Sequence, residues 1–171
     1  MIQINKISVI KLVVFVVVLI FSSCRQKPVI APVSFDFIDL TMVHGWTTTS
    51  LHLYNNKKMI ACTALGQYKE KYYKEMLDSK SMAVVDSLVP IILKTQDDTT
   101  AGAPVPDGTA FKFILSANNK KITVVLFSPD DDVPVAKLAY TLFNVVENLR
   151  MPVDTSFVFP SRDFLPKETP E

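Results

Sequence analysis

The tetrapeptide Asn-Asn-Lys-Lys occurs twice, at 55–58 and at 118–121, each time between runs rich in β-branched and aromatic residues. Asparagine tolerates a positive φ, so each copy predicts a tight turn that folds its flanking runs into an antiparallel hairpin. The first hairpin joins residues 47–54 to 58–65, and the second joins 109–116 to 121–127. A helical pattern follows each. Met82, Val85, Leu88, Val89 and Ile92 recur at helical spacing behind a cap at Ser79 or Ser81. Pro90 is expected to kink that helix or end its first part. Ala136, Leu138, Ala139, Leu142, Phe143, Val146 and Leu149 line one face of a second helix over 133–149. Two rounds of hairpin then helix predict an α+β fold of two layers, an antiparallel sheet with both helices on one face. The repeated order is what duplication of one hairpin–helix unit would produce.

Residues 35–43 form the first strand candidate, a mixed alternation that ends at His44-Gly45-Trp46. Gly66 permits a break or bulge. Residues 67–77, with Tyr68, Tyr72 and Tyr73 among lysines and glutamates, fit either a further twisted strand or a short helix. Residues 96–108 read as a long loop, the least structured-looking part of the domain. From Met151 the chain holds Pro152, Pro160, Pro166 and Pro170, which predicts an irregular tail with one edge strand at 156–159. These boundaries leave a single α+β domain over 35–150 and a proline-rich tail over 151–171.

The N-terminal segment follows a different pattern. Lys6 and Lys11 precede ten uncharged apolar residues at 12–21, and then come Ser22, Ser23 and Cys24. Ten residues at ~1.5 Å each reach about 15 Å as a helix, half of a hydrocarbon core of ~30 Å. A basic head, a short apolar core and small residues before a cut predict a signal peptide over 1–23. With Cys24 next, the segment resembles a bacterial lipoprotein signal of the serine-rich kind seen in Bacteroidota. The resemblance implies that Cys24 is lipidated and begins the mature chain, and that 24–34 is a tether carrying Pro28 and Pro32. Acyl chains at ~0.8 kcal/mol per buried CH2 would hold such a protein on a membrane. Arg25-Gln26-Lys27 contains no acid, so by the same resemblance the expected place is the outer membrane, facing the periplasm. The order of elements over 35–150 also resembles small uncharacterised lipoprotein domains of these bacteria. There the first strand pair often carries a Cys-rich turn, where this chain has His44-Gly45-Trp46-Thr47.

Charge narrows the partners. The chain has 18 Lys+Arg against 17 Asp+Glu, and without the two signal lysines the balance is 16 against 17. No basic stripe stands out, so nucleic acid is not an expected partner. Lipidation of Cys24 would leave Cys62 alone, so no disulfide framework is available and the core rests on apolar burial. Cys62 lies in an apolar, strand-like run and reads as a buried thiol. His44 and His52 would share a face on a regular strand, but no cysteine or carboxylate stands at a familiar ligand spacing, and no metal is expected. Asp130-Asp131-Asp132 lacks the alternating ligands and glycine of a calcium loop. It reads as carboxylates before a helix whose first turn holds Pro134. Asp97-Asp98 and Asp107-Gly108 read as loop and turn residues. Four glycines cannot supply a phosphate-cradling loop, and nucleophile motifs are absent. No catalytic residue and no cofactor is expected.

What remains is a binding surface. Trp46, Tyr68 and Tyr72 are the candidate contact residues, because aromatic side chains are enriched at protein interfaces. The sequence thus points to a lipid-anchored, non-catalytic module that binds a protein. Capture of a toxin, an immunity role, is the first reading. A structural subunit of an envelope assembly is the alternative, and an envelope hydrolase or ligand carrier a further one.

Overall fold

A computed structural model describes residues 34–66, 69–104, 108–130 and 132–164. The signal segment, the tether except Ser34, and therefore Cys24, lie outside the described residues, as do Tyr68, Asp107 and Asp131. Among the described residues, seven strands form one sheet. They are β1 (Phe37–His44), β2 (Thr47–Tyr54), β3 (Lys58–Leu65), β4 (Lys71–Met76), β5 (Thr99–Ala101), β6 (Thr109–Ala117) and β7 (Lys120–Phe127). Two helices, α1 (Ser79–Thr95) and α2 (Pro134–Glu147), and a 3-10 helix at Pro160–Phe164 complete an α+β fold. The sheet order is β4-β3-β2-β1-β6-β7-β5, antiparallel throughout except for the parallel pair β5 and β7.

Both expected hairpins are present, β2–β3 and β6–β7, yet the repeated tetrapeptide closes two different turns. In the first, Lys57 takes the positive φ, 69°, and its amide donates to the Tyr54 carbonyl at 3.0 Å. In the second, Asn118 and Asn119 both do, at 51° and 64°, between the paired residues Ala117 and Lys120. A two-residue loop with both φ values positive matches the right-handed twist of its strands.

Register builds the core. Leu40 stands opposite Leu51 and Phe113, Leu51 opposite Ala61, and Phe113 opposite Val124. All five are buried and share one cluster with Val85, Val89 and Ile92 of α1 and Leu138, Leu142 and Phe143 of α2. Each such leucine or phenylalanine contributes about 1.5–3 kcal/mol by leaving water. Both helices therefore lie on this one face. Along it, α1 carries the chain from edge strand β4 to edge strand β5, and α2 leads back from β7. The return ends at the β4 edge, where the Val153 amide donates to the Tyr72 carbonyl at 2.8 Å.

Within the 67–77 segment, Lys71–Met76 forms the strand β4 rather than a short helix. The α1 cap is Asp78, not Ser79 or Ser81. Its carboxylate accepts from the Lys80 and Ser81 amides at 2.8 and 2.9 Å, and a negative charge there also suits the helix dipole. The helix does not end at Pro90, because Val89 and Ile92 on either side are buried and hold it to the core. The expected loop from 96 holds a short strand. Thr99–Ala101 adds to β7, and the Asp98 carboxylate pins it by accepting from the Thr123 amide at 2.7 Å. Residues 156–159 form no strand. The described part of the tail, 151–164, packs on the sheet: Phe159 and Ser161 are buried, and the 3-10 helix lies over β1 and β6. It covers the sheet face that the helices leave free, fastened by side chains rather than by a backbone ladder.

Candidate functional site

Strand alternation puts Asp39, Thr41, Ser50, His52, Cys62 and Tyr72 on the face opposite the helices. Such a polar face ordinarily meets water, but the tail covers it and the first five are buried. Buried polar atoms need partners, and the tail supplies many of them. Asp39 Oδ2 bonds His52 Nδ1 at 2.7 Å, and Asp39 Oδ1 accepts from the Ser161 amide at 2.8 Å. Thr41 Oγ1 meets Ser50 Oγ at 2.8 Å and Ser161 Oγ at 2.7 Å. Arg162 Nε donates to Ser50 Oγ at 2.7 Å, its Nη1 donates to the Glu70 carboxylate, and its guanidinium lies 5.0 Å over the Phe159 ring. Tyr72 donates to the same Glu70 carboxylate.

These contacts move ionisations. The hydrogen bond to Glu70, with burial behind it, pushes the Tyr72 hydroxyl up to about 12. Burial works to raise the Glu70 carboxyl, but the Tyr72 hydroxyl and the Arg162 guanidinium outweigh it and hold that group below its ordinary value. Burial raises the Cys62 thiol against the opposing pull of Arg162, which disfavours the reactive thiolate.

Asp39 and His52 have the geometry of a carboxylate that orients an imidazole. Among the described residues, however, no hydroxyl or thiol bonds the other ring nitrogen. Phe37, Tyr54 and Phe157 enclose the ring at centroid distances of 5.0, 4.6 and 5.0 Å. The nearby hydroxyls are committed to one another and to Arg162. What the cluster does is fasten the tail to the sheet. His44 takes no part in it, contrary to the shared face expected from an eight-residue spacing. A turn separates the two histidines onto neighbouring strands, and His44 closes β1 on the helix side with Nδ1 2.8 Å from Thr109 Oγ1. Among the described residues no group of three His, Cys, Asp or Glu could hold a metal ion. Asp130 accepts from the Asp132 amide in a local turn at 3.1 Å, and α2 starts behind Val133 without a side-chain cap.

The second candidate lies at the end of the sheet away from Phe37, where the chain enters β1. Gly45 has a φ of +54°, a left-handed conformation that glycine adopts freely, so the chain reverses within Gly45-Trp46. Trp46 at this tip is 81% exposed. Its carbonyl accepts from the Gly66 amide at 2.7 Å and Thr47 pairs with Leu65, which ties the tip to the end of β3. Leu65 is itself 53% exposed. Beside it runs a groove of about 560 Å3 lined by Thr47, Thr63, Ala64, Leu65, Lys69 and Lys71.

Of the two aromatic candidates among the described residues, Trp46 is the one on open display. Tyr72 lies on the opposite face, bonded to Glu70 and stacked on Phe159 at 6.4 Å, and is not brought together with Trp46. Lys69 and Lys71 belong to the charged, tyrosine-rich stretch 68–74 that the sequence offers as a binding surface, but their place beside Leu65 depends on the β3–β4 register. No protein-family model matches this chain, and no curated protein matches it. Among the described residues no helix is long and apolar enough to cross a membrane.

Proposed function

We propose that this chain is a lipid-anchored, periplasm-facing module that binds a protein without catalysing a reaction. Cys24 is its lipidated residue and Trp46 its central contact. One observation carries the binding role: the Trp46 ring stands in water beside half-exposed Leu65 and a groove. Tryptophan is prominent among interface hot spots because burying its large ring against a partner recovers much apolar area. The position supports the same reading. β1 spans eight residues, and at ~3.3 Å per residue the Trp46 end lies about 26 Å from the end where the chain enters. The Asp39–His52 pair, enclosed and engaged with the tail, favours a non-catalytic role. An immunity role suits a small fixed surface that must retain one toxin where it arrives.

Affinity capture from detergent-solubilised envelopes, with wild type and Trp46→Ala side by side, tests the binding. The variant is expected to fold as wild type and to weaken the partner about 30-fold or more in Kd, the scale of a hot spot. A wild type that retains no protein, or a variant that retains it equally, overturns this role. The acyl mass on Cys24 tests the anchor. Killing of cells that lack this protein by a toxin-bearing neighbour tests immunity.

A further inference from the structure

We infer that the partner of the Trp46 end presents an acidic side chain next to an apolar one, an inference that rests on the protein-binding reading above. Alternation along the β4 segment sends Lys69 and Lys71 to the groove, on the helix side, and Glu70 and Tyr72 to the opposite face. Glu70 lies between the two lysines in sequence, and its carboxylate is occupied by Arg162 and Tyr72 across the sheet. Neither lysine has an ion-pair partner among the described residues. The groove thus combines an apolar wall at Ala64 and Leu65 with two uncompensated ammonium groups, both exposed. A carboxylate entering there gains from both, whereas a basic side chain is repelled. Such an arrangement selects among partners and speeds encounter more than it raises affinity. An anionic lipid surface offers negative charge too, but it is flat. The groove is concave and stands beside a projecting ring, a shape that protein side chains fill.

The test pans a random-sequence peptide display library on the full chain in detergent and titrates the best-enriched synthetic peptide. Trp46 is the single tryptophan of the chain, so its emission reports on this site alone. Enriched sequences are expected to place Asp or Glu beside a large apolar residue, and the bound peptide to move Trp46 emission to shorter wavelength. Lys69→Glu/Lys71→Glu, with both side chains exposed, is expected to raise Kd about tenfold, and added salt to raise the wild-type Kd. Peptides that bind the double variant as well as wild type overturn the acidic partner and leave protein binding standing. A library without any peptide that shifts Trp46 emission overturns both. A third arm places the chain in vesicles of phosphatidylethanolamine and phosphatidylglycerol with brominated acyl chains. Quenching of Trp46 there assigns the surface to lipid and overturns the inference.

Discussion

Asp39 uses both of its carboxylate oxygens inside the protein, one on His52 and one on the Ser161 amide. Asp39→Ala strands two buried donors, each costing about 1–3 kcal/mol, so a loss of about 2–5 kcal/mol is expected in urea denaturation. A loss below about 1 kcal/mol would show that the pair is not what holds the tail. The Tyr72–Glu70 contact predicts a pH signature of definite sign. The Tyr72 hydroxyl is pushed from 10.0 up to about 12, so between those values the folded protein keeps a proton that the unfolded chain releases. Its contribution to stability is complete below pH 10 and disappears as pH rises towards 12. Glu70, held below its ordinary value, acts oppositely: its contribution is present above the ordinary carboxyl range and is lost as pH falls through the lowered one. Tyrosinate absorbance should show a late component from Tyr72 that Glu70→Gln returns towards the ordinary value and Tyr72→Phe removes. Asp39 and His52 were visible in the sequence as polar beats of alternating strands. Alternation reveals a second face, but not that Ser161, 122 residues further on, closes over it.

Hairpins and helices were legible because each repeats a pattern over many residues, period 2 along β2, β3, β6 and β7 and period 3.6 along α1 and α2. β5 spans three residues and the tail covers the sheet through single side chains, so neither has a period to read. Both make demands that mutation can expose. Gly102, just beyond β5, has a φ of +84°, and a Cβ there would sit 2.4 Å from the Phe127 carbonyl oxygen. Backbone cannot yield at that distance without drawing β5 away from β7. Gly102→Ala should therefore cost about 1–3 kcal/mol in chemical denaturation. The tail makes a chemical prediction. It buries Cys62, so in a Cys24→Ser background the thiol should resist labelling while the chain is intact. Ending the chain after Thr155 removes Phe157, Phe159, Ser161 and Arg162, and labelling should then become fast at unchanged far-ultraviolet circular dichroism. Slow labelling of the shortened chain would mean that the sheet protects Cys62 by itself.

At the scale of the molecule, the chain's entry and its projecting tryptophan occupy opposite ends of one sheet, with β1 running between them. Trp46 could be picked out from sequence because exposed turn residues are rarely this large. The lysines stood in a charged, aromatic stretch, but their place beside Leu65 was not legible, since it comes from the pairing of Thr63 with Lys71. Under the function proposed above, anchoring and binding would be independent tasks, and the packing near the start of β1 bears on where they divide. Among the described residues the first buried side chain is Phe35, 3% exposed in the shared core. The Asp36 amide then donates to the Ser116 carbonyl at 2.7 Å, and the Asp36 carboxylate accepts from Ser116 Oγ. A chain beginning at Pro32 should thus melt at the temperature of the full chain and bind the same peptide with the same Kd. One beginning at Asp36 should lose about 3 kcal/mol, the usual cost of removing a buried phenylalanine. Thermal melts of both truncations, with Trp46 emission titrated in the longer one, decide the point. Equal stability would place Phe35 outside the core, and a weaker Kd from Pro32 onward would make the N-terminal segment part of the binding surface instead of its leash.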